Sequence, residues 1–185
     1  MVSAQDVAAE LRKRLPGVGT VKLHKLLYYA QGHHLATFGT PLFEDTISAW
    51  DMGPVVGSLW YRERNGIPND QPGTLTEAEL NTVGYVVSRY GALSGTDLRH
   101  LAHSERPWQD ADRRRTPGTS VKIPNEAIEH YFSTAALEAD AEDGASPLDA
   151  DAVAVWLKDA ETRLAEPAQP ATIEQLRARL ESQAR

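Results

Sequence analysis

Helix start signals of one kind recur along the chain, and they constrain its fold more than any other feature of the sequence. In each signal a serine or threonine is followed three residues later by an aspartate or glutamate. The hydroxyl can accept a hydrogen bond from a free backbone N–H group at the helix start, and the carboxylate can do so in return. The pairs are Ser3 with Asp6, Thr76 with Glu79, and Ser94 with Asp97. They predict three helices and favour a mainly α-helical fold.

Apolar residues at helical spacing predict three further helices. One, which we expect Thr20 to cap, runs to Gly39, and its wide apolar face is typical of the central helix of a core. A second covers about residues 55–65, with Pro54 in its first turn, where a missing N–H group has no helical partner. The third opens after Pro124.

Two details of the helices between residues 76 and 108 follow from the same spacing. The helix that Thr76 caps is expected to bury Leu80, Val83 and Val87. The helix that Ser94 caps is expected to run to about residue 104, and Pro107-Trp108 is expected to end that segment.

Two short segments predict β-strands. Residues 46–50 alternate polar and apolar side chains, as a half-buried strand does. Residues 121–123 are expected to pair with them near Ile47. The predicted fold class is mainly α: a compact helical domain of five or six helices with a short two-stranded β-ribbon, plus a C-terminal helical extension.

A change of composition after residue 137 predicts the domain boundaries. The predicted segments are a helical domain over residues 1–137, an acidic linker over 138–148, and a C-terminal helical extension over 149–185. The linker is too poor in apolar residues to pack by itself. The apolar stripe of the extension includes Trp156, Leu157 and Leu164. Such a stripe either folds back on the domain or lies in the groove of a partner.

Charge is unevenly distributed along the chain. Residues 1–137 hold 14 Lys and Arg against 15 Asp and Glu, a net charge of −1, while the remainder holds 5 against 11, a net charge of −6. Nucleic-acid binding needs a net basic footprint, so nucleic acid is disfavoured as a partner. The acidic end suits a basic protein partner, although charge alone favours a merely solvated segment. The basic clusters, Lys22 with Lys25 and Arg113 to Arg115, are expected to be a solvated helix face and a solvated loop. The alternative for the arginine run is contact with an acidic partner or with the chain's own acidic end.

Composition favours a protein of the cytoplasm. The chain has no cysteine, which excludes disulfides and thiolate metal sites, and a mean hydropathy of −0.43. No apolar run is long enough to cross a bilayer. The first residues do not show the basic and then apolar pattern of a secretory signal, so we expect no membrane association and a cytoplasmic location.

Residues that carry common chemistry do not form a known catalytic pattern. His100 and His103 are three residues apart on a predicted helix, but a zinc site needs three or four convergent ligands. Ser58 follows a glycine but lacks the second glycine of a nucleophile elbow. The segment Gly17-Val18-Gly19 lacks the third glycine and the preceding strand of a dinucleotide-binding loop. We therefore expect no metal, no cofactor and no enzymatic activity.

The order of several short motifs resembles the Panacea domain, a SocA-like, phage-associated family, over roughly residues 5–135. The motifs are Lys22 to Gly32, Pro41-Leu42-Phe43, Ala49-Trp50, Gly53-Pro54-Val55-Val56, Tyr90-Gly91, Leu93-Ser94, Asp97-Leu98, His103-Ser104-Glu105, Pro107-Trp108, and Ile123 to Phe132. The family usually has glutamine at the position of His24 and an aromatic residue at that of His33. We expect these two departures to change a surface rather than the fold.

The resemblance implies an antitoxin of a type II toxin–antitoxin system, which neutralises a cognate toxin from the adjacent gene by direct contact. The alternative is a proteolytic adaptor that delivers the bound toxin to a ClpXP-type protease. Self-association of the free protein is left open. The candidate partner-binding residues are Trp50, Asp51, Met52, Pro54, Trp60, His103, Trp108, Trp156, Leu157 and Leu164. Packing of Trp50 against Trp108 is the competing interpretation for those two residues.

Overall fold

The structure is a computed structural model that describes residues 2–70 and 72–142. Seven helices and three short strands follow one another in these residues: α1 (Ala4–Arg14), α2 (Thr20–Phe38), β1 (Ile47–Trp50), β2 (Gly53–Val56), α3 (Gly57–Arg64), α4 (Glu77–Tyr90), α5 (Gly95–Ser104), α6 (Arg106–Asp112), β3 (Val121–Lys122) and α7 (Asn125–Glu142). The predicted mainly α fold with a short β element is confirmed.

All three helix start signals form reciprocal capping boxes. The side chains of Ser3, Thr76 and Ser94 accept from the third helical N–H group of α1, α4 and α5, and the carboxylates return the bond. The predicted cap of α2 is wrong. Gly19 is the extended residue that precedes this helix, without a side-chain cap, and Thr20 is already helical. At the other end Gly39 has a left-handed conformation with φ of 65°, the usual helix end for glycine.

The segment Gly53–Val56 is a strand, so the prediction that Pro54 opens a helix is wrong. The strands form an antiparallel sheet in the order β2-β1-β3, which replaces the predicted two-stranded ribbon. Since β2 is an edge strand, Pro54 can pair opposite Ala49 although it has no N–H group to donate. The following helix begins only at Gly57. The predicted pairing of β1 with β3 is confirmed.

The structure contains one helix more than the upper number predicted. Residues Arg106–Asp112 form α6 directly after α5, with Pro107 in the first turn. Proline is well tolerated there, because the first N–H groups of a helix have no internal acceptor. The prediction that Pro107-Trp108 ends the helical segment is therefore wrong.

Helix α2 is the centre of the core, as predicted. Its side chains are buried along almost all of residues 23–35, and it packs against α1, α4, α5 and β2. The buried face of α4 differs from the prediction: it consists of Thr82, Val83 and Val86, whereas Leu80 and Val87 are only partly buried. Polar side chains are also buried on α2, and two of them, His24 and Lys25, form hydrogen bonds to strand β2.

Gly32 provides a test of how closely the helices pack. A Cβ atom at Gly32 would lie 2.4 Å from ring atoms of Phe132 on α7. Gly32→Ala is therefore expected to destabilise the chain by about 1–3 kcal/mol, since an overpacked core has to shift. The midpoint of urea unfolding measures the change.

Gly84→Ala on α4 is the matched control, because it also replaces a glycine inside a helix. A Cβ there would approach only the terminal Nη1 of Arg14, at 2.8 Å. This flexible guanidinium can move, so the variant is expected to match or exceed wild-type stability, by up to about 1 kcal/mol. Equal losses for the two variants would contradict the close packing of α2 on α7.

The C-terminal predictions mostly lie outside the described residues. Helix α7 extends to Glu142, which is five residues into the segment predicted as a linker. Trp156, Leu157 and Leu164 fall beyond the described part of the chain, and the domain boundaries stay predictions. No helix of the described residues has the length and apolar character needed to cross a membrane.

Candidate functional site

Most of the described candidate residues meet at the turn between β1 and β2. The ring of Trp50 lies edge-on to that of Trp60, with centroids 5.3 Å apart. The Trp108 indole N–H donates to the Trp50 carbonyl at 3.3 Å. The ring of His103 stacks on that of Trp108, with centroids 3.8 Å apart and planes 6° apart. Two tryptophans and a histidine thus support the turn.

The turn forms one wall of an open groove of about 560 Å³. Its lining residues are Trp50, Asp51, Met52, Gly118, Thr119 and Ser120, and we call this set the turn surface. Met52 is 45% exposed, and the side chain of Asp51 is 64% exposed. Trp108 is only 9% exposed, and Pro54 is buried. The turn surface is therefore available for contact, whereas Trp108 and Pro54 lie behind it.

Arg115 links the turn to helix α6. Its guanidinium pairs with Asp51 Oδ1 at 2.5 Å and with Asp112 Oδ1 at 2.7 Å. The Arg115 side chain is 8% exposed, so the prediction of a solvated loop is wrong for this residue. Arg113, by contrast, is 70% exposed beside Asp110. A run of three arginines gives no signal that only one of them is buried.

Lys25 lies directly beneath the turn. It is 1% exposed, and its Nζ donates to the Pro54 carbonyl at 2.9 Å. Burial, with the charge of Arg99 as a second cause, lowers its pKa to about 7. The predicted solvated helix face is thus wrong for Lys25. The signal that could have placed it inside is the unusually wide apolar surface of α2, which leaves little room for a polar face.

Gly53 allows Lys25 to approach the turn. Its backbone has a φ of +97°, which residues other than glycine rarely adopt. A Cβ atom at this position would lie 2.6 Å from Lys25 Cε. The same Cβ would lie 3.3 Å from His103 Nε2. Conformation and space both require glycine here, which gives a physical reason for the Gly-Pro motif quoted above.

His24 anchors strand β2 rather than changing a surface. It is 2% exposed, and its Nδ1 accepts from the Val56 N–H at 3.3 Å. Burial lowers its pKa to about 4, with the charge of Lys25 as a further cause, so the ring is neutral at pH 7. The expected change of a surface is therefore wrong for His24. His33 is also largely enclosed, and its Nε2 lies 2.9 Å from the Tyr90 hydroxyl.

Glu105 is the buried acid of the His103-Ser104-Glu105 motif. Its side chain accepts from the Tyr29 hydroxyl at 3.0 Å, and the Tyr29 ring stacks on Tyr90 with centroids 4.2 Å apart. Burial raises the pKa of Glu105 from 4.5 to about 7, while the hydroxyls of Tyr28 and Tyr29 oppose the rise. These contacts join α2 to the α5–α6 junction and hold the scaffold behind the turn.

Glu105→Gln is expected to change how stability depends on pH. The folded chain keeps the Glu105 proton between about pH 4.5 and 7, where the unfolded chain loses it. This contribution to stability is complete below pH 4.5 and is lost as the pH rises toward 7. The free energy of unfolding of wild type, relative to that of the variant, should fall by up to about 3 kcal/mol over this range.

Urea unfolding at several pH values measures this difference. Lys25, His24 and His33 change stability in the opposite direction, but they are common to both proteins and cancel in the comparison. The exposed Glu126→Gln is the control and should reproduce the wild-type pH profile. Parallel profiles for wild type and Glu105→Gln would show that the Glu105 pKa is not raised.

The histidine pair considered as a metal nucleus does not converge with other ligands. His100 is exposed, while the His103 ring faces Trp108. Within residues 2–70 and 72–142 there is no group of three or more His, Cys, Asp or Glu that could hold a metal ion.

Residues 23–109 match the family model described as antitoxin SocA-like, Panacea domain. No curated protein and no solved structure matches the chain. The resemblance stated from the motifs is thus confirmed over the segment from α2 to α6. This segment contains Lys25, the β1–β2 turn, Glu105 and Trp108, whereas Arg115 lies beyond it.

Proposed function

We propose that this chain is an antitoxin that neutralises a cognate toxin from the adjacent gene by direct protein–protein contact at the turn surface. The premise is the match of residues 23–109 to an antitoxin-like domain. The observation that carries the proposal is the exposed Met52 and Asp51 on a turn that buried residues hold in place. Such a surface offers an apolar contact and a polar contact side by side.

The hydrogen-bond partners of three buried ionisable groups favour a binding protein over an enzyme. Lys25 donates to a backbone carbonyl, His24 accepts from a backbone N–H group, and Glu105 accepts from a tyrosine hydroxyl. Each of these three groups therefore forms a hydrogen bond within the fold itself. Catalytic groups with shifted pKa values instead face a cleft in which a substrate can lie.

The rigidity of the turn is an advantage for binding. Arg115 holds Asp51 from one side, Trp108 holds the Trp50 carbonyl, and Lys25 holds the Pro54 carbonyl. A partner that docks here does not have to order the loop, so less conformational entropy is lost on association. Met52 is unbranched and polarisable, and such a side chain adapts well to the pocket of a partner.

Co-expression with the product of the adjacent gene tests the proposal. An antitoxin restores growth that the toxin alone arrests, and the two proteins co-purify. If the toxin lifetime falls in the presence of a ClpXP-type protease, the chain acts as an adaptor; an unchanged lifetime favours occlusion. No complex and no rescue would contradict the proposal.

The C-terminal stripe adds one separate arm to this test. Trp156→Asp in the full chain should weaken the complex if the stripe is a second contact, since a tryptophan anchor often contributes strongly to binding. Unchanged affinity would leave the turn surface as the proposed contact and remove Trp156 from the set of candidate residues.

A further inference from the structure

Arg99 on α5 borders the turn surface without a carboxylate partner. Its Nη1 lies 3.5 Å from the sulfur of Met52, and its Nε is buried without a hydrogen-bond partner. Within the described part of the chain Arg99 forms no ion pair. A partly buried guanidinium in this condition costs free energy, because lost hydration is not replaced by protein contacts.

The carboxylates at the turn and in the first turn of α5 are engaged with other residues. Arg115 holds both Asp51 and Asp112. Asp97, on the same helix as Arg99, accepts from the backbone and hydroxyl of Ser94. Arg115 thus forms two ion pairs, whereas Arg99 forms none within the described residues.

Two further basic side chains, Lys25 and His103, lie near Arg99. Burial is the main cause of the lowered pKa of Lys25 and of His103, and the charge of Arg99 adds to both shifts, while Asp112 opposes that of His103. His103 Nε2 is buried without a partner, and Lys25 Nζ makes a single hydrogen bond. Nitrogen atoms with unused hydrogen-bonding capacity therefore lie close together at Gly53, the residue after Met52.

We propose that Arg99 is a specificity-determining residue that receives an Asp or Glu side chain of the bound protein partner. The partner surface would place this carboxylate beside an apolar pocket for Met52, whose sulfur already contacts the guanidinium. An arginine–carboxylate pair satisfies two N–H groups at once and fixes orientation as well as charge. This inference rests on the proposed function and specifies the chemistry of the partner.

The first experiment measures the affinity of the full chain for the purified product of the adjacent gene. Arg99→Gln should weaken binding on the order of 30-fold, the loss typical when one member of a buried charge pair is removed. Arg99→Glu should weaken it further because it sets two carboxylates against each other. Arg106→Gln is the matched control: this exposed arginine also forms no ion pair in the described residues, and it lines the separate groove between α6 and α7.

A charge-reversal scan of the partner identifies the carboxylate. Replacing its surface Asp and Glu residues one at a time with Lys should yield one variant that binds Arg99→Glu better than it binds the wild-type chain. A complex that forms normally with both Arg99 variants overturns the inference but leaves the proposed function intact. A wild-type chain that forms no complex overturns both.

The free chain supplies a second readout. Because Arg99 opposes Lys25 and has an unsatisfied Nε, Arg99→Gln should keep or raise the Tm. A clear fall in Tm would identify Arg99 as a structural residue and overturn the inference.

Discussion

Met52→Asp is expected to weaken the complex with the proposed toxin partner by about 100-fold or more while leaving the fold intact. The side chain is 45% exposed, so the substitution removes little packing from the free chain. In the complex it would place a carboxylate in an apolar contact, and the loss is comparable to that at interface hot spots. The new carboxylate can also pair with Arg99 and occupy the position proposed for the partner's acid. Calorimetric titration of the toxin measures the affinity.

Phe38→Asp is the control for this prediction. Phe38 is 47% exposed, close to the value for Met52, and it lines a different groove, between α2 and α4. We expect this variant to bind like wild type. If Phe38→Asp abolishes the complex and Met52→Asp does not, the interface lies on the α2–α4 groove and the turn surface is not the contact.

Gly53→Ala is expected to have the largest effect on stability, with a loss of roughly 2–5 kcal/mol. A left-handed backbone costs a side chain about 1–2 kcal/mol, and overpacking adds about 1–3 kcal/mol. The overlap is severe because Lys25 is buried and cannot swing into solvent. The turn would have to move, so the affinity for the toxin should fall as well. Thermal and urea unfolding measure the first effect, and titration measures the second.

Two variants separate the causes of this loss. Gly118→Ala meets the same backbone restriction at φ of +79°, but no atom lies within 4 Å of the added Cβ, so only about 1–2 kcal/mol should be lost. Lys25→Ala removes the overlapping side chain. The double variant of Lys25 and Gly53 should therefore be more stable than the sum of the single losses predicts. Strict additivity would show that Lys25 does not press on the turn.

Local signals explain which parts of the fold could be predicted. A capping box is read from four consecutive residues, and all three boxes formed as expected. Proline is ambiguous in the same local sense, because it suits a helix start and an edge strand equally well. Pro54 lies in an edge strand, because it pairs with Ala49. Pro107 lies at a helix start, because the chain continues into α6.

The buried charges could not be placed by local reasoning. Lys25 and Arg115 are lysine and arginine in sequence contexts that usually denote solvent, and their partners are distant along the chain. The motifs that carry the family resemblance contain Lys25, Gly53 and His103, but only the fold shows that these residues meet. Which residues of the turn surface touch a partner stays a prediction.

Hydrogen exchange of the full chain, alone and bound to the adjacent gene's product, tests the turn surface most directly. Our account predicts slower exchange on binding in the peptides that cover residues 50–53 and 118–120, with Met52→Asp abolishing this protection. Protection confined to other segments, such as the α2–α4 groove around Phe38, would contradict it.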